Sequence, residues 1–220
     1  MDRGILAIVS HPDDETFGCG GTLALHSKEH VPVEVLCLTC HPAERRKELV
    51  TASKKLGLDS PIILDEVNIE VSSGSITRVA DIIVDHHPKV VITHLPFDYH
   101  REHRAAYELV KEAVEWSAHT TIYDEPCQVE RLLLMEVNSL IPRPHVLVDI
   151  SDVIEQKKTA IEAYSTQLAK FDWGYYERFN LKKAEFRGVQ GNCMYAEAFL
   201  EEPISHGGPF YSVKTSRILT

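Results

Sequence analysis

The chain has 220 residues, of which 44% are hydrophobic and 25% are charged, and its formal net charge at pH 7 is -10. These proportions are typical of a folded globular protein and exclude a fibrous or low-complexity chain, and the length fits a single domain spanning residues 1–220. The acidic balance excludes nucleic acid and anionic membranes as expected partners, since both require basic surface patches, and it favours a small molecule.

The N-terminus and the cysteines indicate the compartment. The first apolar run, at residues 5–9, is too short for a signal peptide or a membrane span and is followed at once by charged residues. The five cysteines are an odd number without the spacing of a disulfide framework. Cys37 and Cys40 have CxxC spacing, but Cys37 lies in a strand pattern, so we interpret both as structural. We therefore expect a cytoplasmic protein with no membrane span.

Apolar runs and helical patterns alternate along the first half of the chain. The predicted strands are short, β-branched and bounded by polar residues: 5–9, 33–38, 61–64 and 90–92. The predicted helices have apolar residues at spacings of three and four: 21–29, 44–56, 76–86 and 102–116. This alternation predicts an α/β fold, a Rossmann-like, mostly parallel sheet with helices on both faces. Ligands are then expected at the carboxyl ends of the strands.

The second half of the chain is less regular. Two further apolar runs, at 132–135 and 146–150, predict strands, and a long helix is predicted over 151–168 with Ser151 as its N-cap. The aromatic-rich segment FDWGYYERFN follows Lys170. This segment fits either a cap over the core or a wall of a substrate site.

The first candidate site follows the first predicted strand, where HPDDE brings together His11, Asp13, Asp14 and Glu15. A histidine and one aspartate could supply two of the three protein ligands of a catalytic zinc, and the second aspartate could accept a proton from water. An acidic helix start is the alternative, because Asp and Glu favour the first turn. The glycines at 18–21 also permit a phosphate-binding turn, but GCGG is not GxGxxG and no Walker lysine follows.

A second cluster follows the fourth predicted strand, in the stretch THLPFDYHREHRAA. His100 and His103 are three residues apart across a predicted helix start, so both can face one crevice. One could bind a metal, while the other, when protonated, could stabilise an oxyanion or protonate a leaving amine. Asp98 or Glu102 could set the tautomers of these rings. Two clusters of acids and histidines at separate strand ends favour a metal hydrolase over unrelated surface residues.

These motifs resemble those of the PIG-L/LmbE-like family of zinc-dependent N-acetylglucosaminyl de-N-acetylases. That family has a strand followed by His-Pro-Asp-Asp-Glu and a glycine-rich turn, which this chain matches at residues 11–21. The second family motif, Pro-x-Asp-x-His-x-Asp-His, is matched at residues 96–103, with Glu102 in place of the usual aspartate.

Carried over by position, the resemblance implies a zinc site and two catalytic groups. The implied zinc ligands are His11, Asp14 and His103. Asp13 would be the general base, and His100 would assist the tetrahedral intermediate.

Other residues are assigned roles around this site. The resemblance implies that Arg45 contacts the sugar, with a solvated arginine on a helix face as the alternative. Glu15 would brace the metal site or cap the following helix, and His41 would lie in an exposed loop or face the substrate. Some oligomeric relatives complete their sites from a neighbouring subunit. His206 could do so in a homo-oligomer, with a surface turn as the alternative.

The expected function is a zinc-dependent hydrolase that removes the N-acetyl group from an N-acetylglucosamine-type sugar conjugate, releasing acetate and a free amine. Two imidazoles and a carboxylate also suit Fe²⁺. An amidase that cleaves a larger sugar-linked amide and a noncatalytic sugar-nucleotide-binding module are the alternative functions. The short loop before Arg45 differs from the longer loop of many relatives, so the sugar conjugate is not specified.

Overall fold

The computed structural model describes residues 4–204, and a seven-stranded sheet forms its centre. The strands are β1 Ile5–Val9, β2 Val33–Cys37, β3 Ile62–Ile63, β4 Val90–Thr93, β5 Arg131–Met135, β6 Val146–Asp149 and β7 Ala196–Glu202. Their order is β3-β2-β1-β4-β5-β7-β6. Strands β1 to β5 pair in parallel, whereas β7 is antiparallel to both β5 and β6. The predicted mostly parallel α/β sheet is confirmed.

Helices cover both faces of this sheet. They are α1 Asp14–Lys28, α2 Ala43–Lys55, α3 Ser73–His86, α4 Arg101–Ser117, α5 Ile154–Glu162, α6 Ser165–Leu168 and α7 Tyr175–Gly191. Alternate residues of β1 enter different cores: Ala7 packs with α1, α2 and α5, whereas Leu6 packs with α3 and α4. This period of two is what a strand buried on both faces requires. Within residues 4–204, no helix has the length and apolar composition needed to cross a membrane.

The predicted helix over 151–168 is wrong in its extent. Ser151–Val153 form a 3-10 turn, and Ser151 does not cap a helix, because its hydroxyl and backbone N–H both donate to Asp149 Oδ1, at 2.5 and 2.9 Å. Helix α5 ends at Glu162, and the chain leaves helical geometry at the fully buried Tyr164. The Tyr164 hydroxyl reaches Glu15 Oε1 at 2.5 Å, so a long-range hydrogen bond overrides the local helical pattern.

Strand β7 and the start of α1 differ from the sequence pattern for packing reasons. The β7 sequence AEAFLEE lacks a β-branched run. Its Glu197 is polar and yet buried, because it forms an ion pair with Lys157, a residue remote in sequence. Helix α1 begins at Asp14 rather than near residue 21, since it continues through three glycines. A Cβ on Gly18 would lie 2.5 Å from Met135 Sδ, so the glycine allows α1 to lie close to the sheet.

Candidate active site

The two acid-and-histidine clusters meet at the carboxyl end of the sheet. Strands β1 and β4 are parallel neighbours, and the chain leaves β1 for β2 on one side before returning to β4 on the other. A crevice forms where the strand order reverses in this way. A pocket of about 270 Å³ opens there, and its lining includes His11, Asp13, Asp14, His100 and His103.

The three implied zinc ligands lie together around Asp14. His11 Nδ1 is 3.3 Å from Asp14 Oδ2, and His103 Nε2 is 3.3 Å from Asp14 Oδ1. Two overlapping groups have potential ligand atoms within 4.8 Å of one another: His11 with His100 and His103, and Asp14 with His94 and His103. Imidazole nitrogens and a carboxylate suit zinc and ferrous iron, so this donor set fits the implied metal.

The charges around Asp14 favour a cation between these residues. Burial raises the pKa of Asp14, but the charge of His103 and the hydrogen bonds from His103 and His11 outweigh burial and hold that pKa well below its ordinary value. Burial lowers the pKa of His103, whereas Asp14 and Asp98 raise it to about 10. The two carboxylates therefore favour a positive charge on the His103 ring, and they would favour a metal cation at the same point for the same electrostatic reason.

Asp13 has a different environment from its neighbour Asp14. Its Oδ2 accepts a hydrogen bond from Arg45 Nη2 at 2.7 Å, and its backbone N–H donates to Glu15 Oε2 at 3.1 Å. Burial and the charge of Asp14 raise the pKa of Asp13 to about 7, although Arg45 opposes the shift. Adjacent carboxylates with pKa values displaced in opposite directions are typical of residues with different catalytic roles.

Arg45 and Glu15 hold the Asp13 turn. Arg45 is only 6% exposed, so it is not a solvated helix-face residue, and it also donates to Glu48 Oε2 at 3.0 Å and to the carbonyl of Pro12. Its guanidinium lines the pocket, and the predicted sugar contact stays a prediction. Glu15 is fully buried and bonds the backbone of Asp13, so it braces the site from within the first turn of α1.

Asp98 and Glu102 contact the histidines as expected of supporting residues. Glu102 Oε2 lies 2.5 Å from His11 Nε2, and Asp98 Oδ2 lies 3.4 Å from His103 Nδ1. Burial raises the pKa of Asp98, but hydrogen bonds from His103 and from the backbone N–H of His100 outweigh burial and bring that pKa to about 2. An ionised Asp98 orients the His103 ring.

His100 stands at the pocket wall as the N-cap of α4. Its ring centroid is 5.0 Å from that of His11 and 4.8 Å from that of His103. Burial lowers the pKa of His100, and the charges of His103 and His11 lower it further. Its Nδ1 is buried and has no hydrogen-bond partner among the described residues. An unpaired buried nitrogen at the pocket indicates a ligand or reacting group there.

His94 and Asn138 also lie at the site, and neither was predicted from the sequence. His94 is fully buried, its ring stacks on His103 at 4.1 Å, and its Nε2 accepts the Ser10 backbone N–H at 2.9 Å. Burial and the charge of His103 lower the pKa of His94 to about 3, so the ring is neutral. Asn138 Nδ2 lies 3.4 Å from His103 Nδ1. Both residues follow strand ends, of β4 and β5, and that position is the signal that could have found them.

Two other histidines, His41 and His206, are site candidates from the sequence. His41 lines the pocket, with 56% of its side chain exposed, and its Nε2 lies 3.4 Å from Asp65 Oδ1. His41 therefore lies in an exposed loop, as one prediction states, and this loop also reaches the pocket, as the other states. His206 lies outside the described residues, 4–204.

Comparison with known proteins decides the family. Residues 6–114 match the family described as PIG-L: GlcNAc-PI de-N-acetylase. The chain belongs to the PIG-L family. A relative from Bacillus subtilis, named as a probable N-acetyl-alpha-D-glucosaminyl L-malate deacetylase 2, is 25% identical over 189 residues, covering 76% of this chain and 84% of the relative.

A solved structure and a second relative extend the comparison. The N,N'-diacetylchitobiose deacetylase of Pyrococcus horikoshii has a TM-score of 0.80 and 27% identity, covering 96% of this chain and 88% of its own. A Pseudomonas putida relative named 4-oxalmesaconate hydratase is 24% identical and covers 89% of this chain and 87% of its own. This PIG-L protein is thus an enzyme of the deacetylase class, as predicted, with a relative named for another reaction.

Proposed function

We propose that this PIG-L protein is a zinc-dependent deacetylase that removes the N-acetyl group from an N-acetylglucosamine conjugate. The observation that carries the proposal is that two adjacent carboxylates have different contacts. Asp14 lies between the imidazoles of His11 and His103, whereas Asp13 turns to Arg45 on the same pocket. A metal hydrolase needs one carboxylate that binds and a second that accepts a proton.

The metal would be held by His11, Asp14 and His103. When bound there, it supplies a Lewis acid that polarises the amide carbonyl and lowers the pKa of a water molecule. Zinc is the proposed ion because two imidazoles and a carboxylate are a donor set that would suit a catalytic zinc. Fe²⁺ suits the same donors, and metal analysis of the anaerobically purified protein distinguishes the two ions.

The side chains of this chain then move the proton. Asp13 accepts it from the water whose oxygen forms a bond to the amide carbon, and a ring N–H of His100 stabilises the resulting oxyanion. The carbon–nitrogen bond breaks when Asp13 returns this proton to nitrogen, directly or through the His100 ring, so the products are acetate and a free amine. Arg45 keeps the Asp13 carboxylate aimed into the pocket throughout.

The substitution Asp13→Asn tests the proton acceptor. It keeps the size of the side chain and a carbonyl oxygen for Arg45 but removes the base, so acetate release should fall at least about 100-fold. Metal content should equal that of the unsubstituted protein, whereas the matched variant Asp14→Asn should lose metal. Near-normal turnover in Asp13→Asn, or loss of its metal, would contradict the assignment.

The reaction itself is tested by product analysis with the metal-loaded protein. A panel of N-acetylglucosamine conjugates should release acetate in equal amounts with free amine. Release of a larger carboxylic acid from an N-acylated sugar, without acetate release, would instead establish the amidase alternative. Sugar-nucleotide binding without bound metal would favour the noncatalytic module, and conversion of the unsaturated substrate of the hydratase relative without acetate release would favour hydration.

A further inference from the structure

The pocket at the metal site is small for a sugar conjugate. Its volume is about 270 Å³, whereas pockets for small-molecule ligands usually measure about 300–1,000 Å³. Under the proposed function, the pocket must hold the acetamide and the sugar ring that carries it. The remainder of the conjugate therefore lies outside the pocket, against the surface that surrounds its mouth.

That surface is aromatic. The aromatic rim consists of Tyr99, which precedes α4, of Phe171 and Trp173, which precede α7, and of Tyr175 and Tyr176 in the first turn of α7. Tyr99 and Tyr176 line the pocket. From Tyr176 the rings continue outward, since its centroid lies 5.7 Å from Phe171 and 5.2 Å from Tyr175, and Tyr175 lies 5.3 Å from Trp173. These four rings thus run from the pocket wall to the solvent, and Tyr99 lines the same pocket.

The rim is exposed and yet held in position. Tyr99 is 71% exposed and Trp173 is 58% exposed. The Tyr176 ring stacks on Phe17 of α1 at 5.7 Å, and the guanidinium of Arg178 lies over the Trp173 ring at 5.5 Å. Exposed aromatic rings beside a pocket mark a binding surface, and fixed rings lose little entropy when a ligand covers them.

The charges at the mouth favour a neutral group on this surface. Among the described residues that line the pocket, Arg45 and Lys170 are the basic ones besides the histidines. Arg45 is engaged by Asp13 and Glu48, and Lys170 Nζ contacts Gln167 Oε1 at 2.5 Å. A dicarboxylate such as malate would find the Lys170 ammonium and, on the rim, the Arg178 guanidinium, each already in contact with a neighbouring residue, whereas a neutral sugar requires no cation.

We propose that the aromatic rim binds a second pyranose ring, so that the preferred substrates are N-acetylglucosamine disaccharides or longer saccharides. A pyranose ring has a face of C–H groups that contacts the electron-rich face of an aromatic ring, while its hydroxyls stay in water. This inference rests on the proposed deacetylase function and names its substrate class.

The test compares three substrates with the zinc-loaded protein: N,N'-diacetylchitobiose, N-acetylglucosamine and N-acetylglucosaminyl malate. The expected kcat/KM for acetate release is at least about tenfold higher for the disaccharide than for the monosaccharide. Tyr99→Ala and Trp173→Ala should each lower that ratio about five- to tenfold, mainly through KM for the disaccharide. Trp173→Phe should restore much of the ratio because it keeps a flat ring. The matched control is Phe186→Ala, since Phe186 is 51% exposed on α7 but does not line the pocket.

The outcomes separate this inference from the proposed function. Equal kcat/KM values for disaccharide and monosaccharide, an unchanged ratio in both Ala variants, or a preference for the malate conjugate would overturn the sugar-binding rim. In each case acetate release would still support the deacetylase. If none of the three substrates releases acetate, the proposed function fails, and the rim inference fails with it.

Discussion

Asp13 and Asp14 show how one backbone angle separates the environments of two identical residues. Asp13 has a φ of 110°, which lies in the left-handed region that non-glycine residues rarely adopt. Such a conformation costs about 1–3 kcal/mol and persists only where neighbours fix it. Here the backbone bond to Glu15 and the ion pair with Arg45 fix it. This backbone conformation places the Asp13 side chain against Arg45, whereas Asp14 begins α1 and lies between the histidines.

His94 is predicted to position the metal ligands. Its Nε2 accepts the Ser10 N–H, and its ring supports His103, so His94→Phe should leave a buried donor unpaired and loosen the ligand set. We expect a decrease in the free energy of unfolding of about 1–3 kcal/mol and a loss of metal affinity of about 10- to 100-fold. Equilibrium unfolding of the metal-free protein and competition with a chelator measure the two effects.

The variant His94→Gln is the matched control. Its side-chain oxygen can take the place of Nε2 as the acceptor for Ser10, so most of the metal affinity should return. Metal affinity in His94→Phe equal to that of the unsubstituted protein would show that His94 serves only the packing of the core.

The catalytic candidates could be predicted from sequence because strand ends and local spacing indicate them. His11, Asp14 and His103 lie where the two motifs place them, and contacts with Asp14 join them. The sequence could not show that Arg45 pairs with Asp13, because that contact depends on how α2 packs beside the β1 turn. His94 has no neighbouring acid in sequence, and only the pairing of β1 with β4 brings it to the site.

At the scale of elements, buried charged side chains form hydrogen bonds with the backbone of α1, and these contacts explain its glycines. The backbone N–H groups of Gly21 and Thr22 donate to the buried carboxylate of Glu197, at 2.8 and 2.7 Å. The carbonyl of Phe17, one turn before Gly21, instead accepts from the ammonium groups of Lys157 and Lys183, at 3.3 and 3.2 Å. Polar side chains of α5, α7 and β7 thus replace part of the backbone hydrogen bonding within α1. Because these side chains must come close to the α1 backbone, small residues are required at this part of the helix.

Two alanine substitutions test this packing. A Cβ on Gly21 would lie 2.7 Å from Ile150 Cδ1 and 2.9 Å from Ile150 Cβ, so Gly21→Ala should lower the free energy of unfolding by about 1–3 kcal/mol. Gly20 is the control, since its Cβ would find its nearest atoms at 3.6 Å, and alanine is the better helix former by about 1 kcal/mol. Urea unfolding should therefore rank Gly20→Ala above Gly21→Ala. Equal stability of the two variants would contradict the close packing of α1 on Ile150.

The contact between α2 and α6 should depend on pH through Glu48. Its carboxylate accepts hydrogen bonds from the Thr166 backbone N–H at 2.8 Å and from the Thr166 and Ser165 hydroxyls. Burial raises the pKa of Glu48, but these bonds and Arg45 outweigh burial and lower it. A lowered folded-state pKa contributes stability above the unfolded-state pKa, about 4.3 for Glu, and that contribution is lost as the pH falls through the folded value.

The substitution Glu48→Gln should lower the free energy of unfolding by about 1–2 kcal/mol at pH 7. The difference from the unsubstituted protein should shrink as the pH falls below 4, because the natural carboxylate then becomes protonated too. Glu44→Gln, at an exposed position of the same helix, is the control and should change stability little at either pH. Urea unfolding over this pH range measures the difference, and a constant difference across the range would refute the linkage.

At the scale of the whole molecule, the alternation of strands and helices was sufficient to predict the parallel part of the sheet. Strands β1 to β4 follow it as apolar runs that lie between two helical layers, with the short edge strand β3 only half-buried, and β5 continues the parallel pairing beside β4. The antiparallel β7 and the broken helix before α6 could not be predicted in this way. Their determinants are Glu197 with Lys157 and Tyr164 with Glu15, which are buried polar pairs of residues remote in sequence.

The position of the metal site between the two helical layers predicts an effect on global stability. His11 and Asp14 stand at the start of α1, which packs on one face of the sheet, whereas His103 belongs to α4 on the other. A bound ion would therefore link both layers, while the two cores lie apart from the site and should keep the metal-free protein folded. Circular dichroism after chelation should show unchanged helix content.

Zinc should nevertheless raise the midpoint of thermal unfolding. At 100 times the Kd, a ligand specific for the folded state contributes about 2.7 kcal/mol, which corresponds to about 5–10 °C for a chain of this size. Calorimetry should show this shift for the unsubstituted protein and for Asp13→Asn, because Asp13 does not bind the ion, and should show none for Asp14→Asn. The three samples thus separate the two carboxylates without any activity measurement. A full shift in Asp14→Asn would mean that the ion is held by the His11, His100 and His103 group instead.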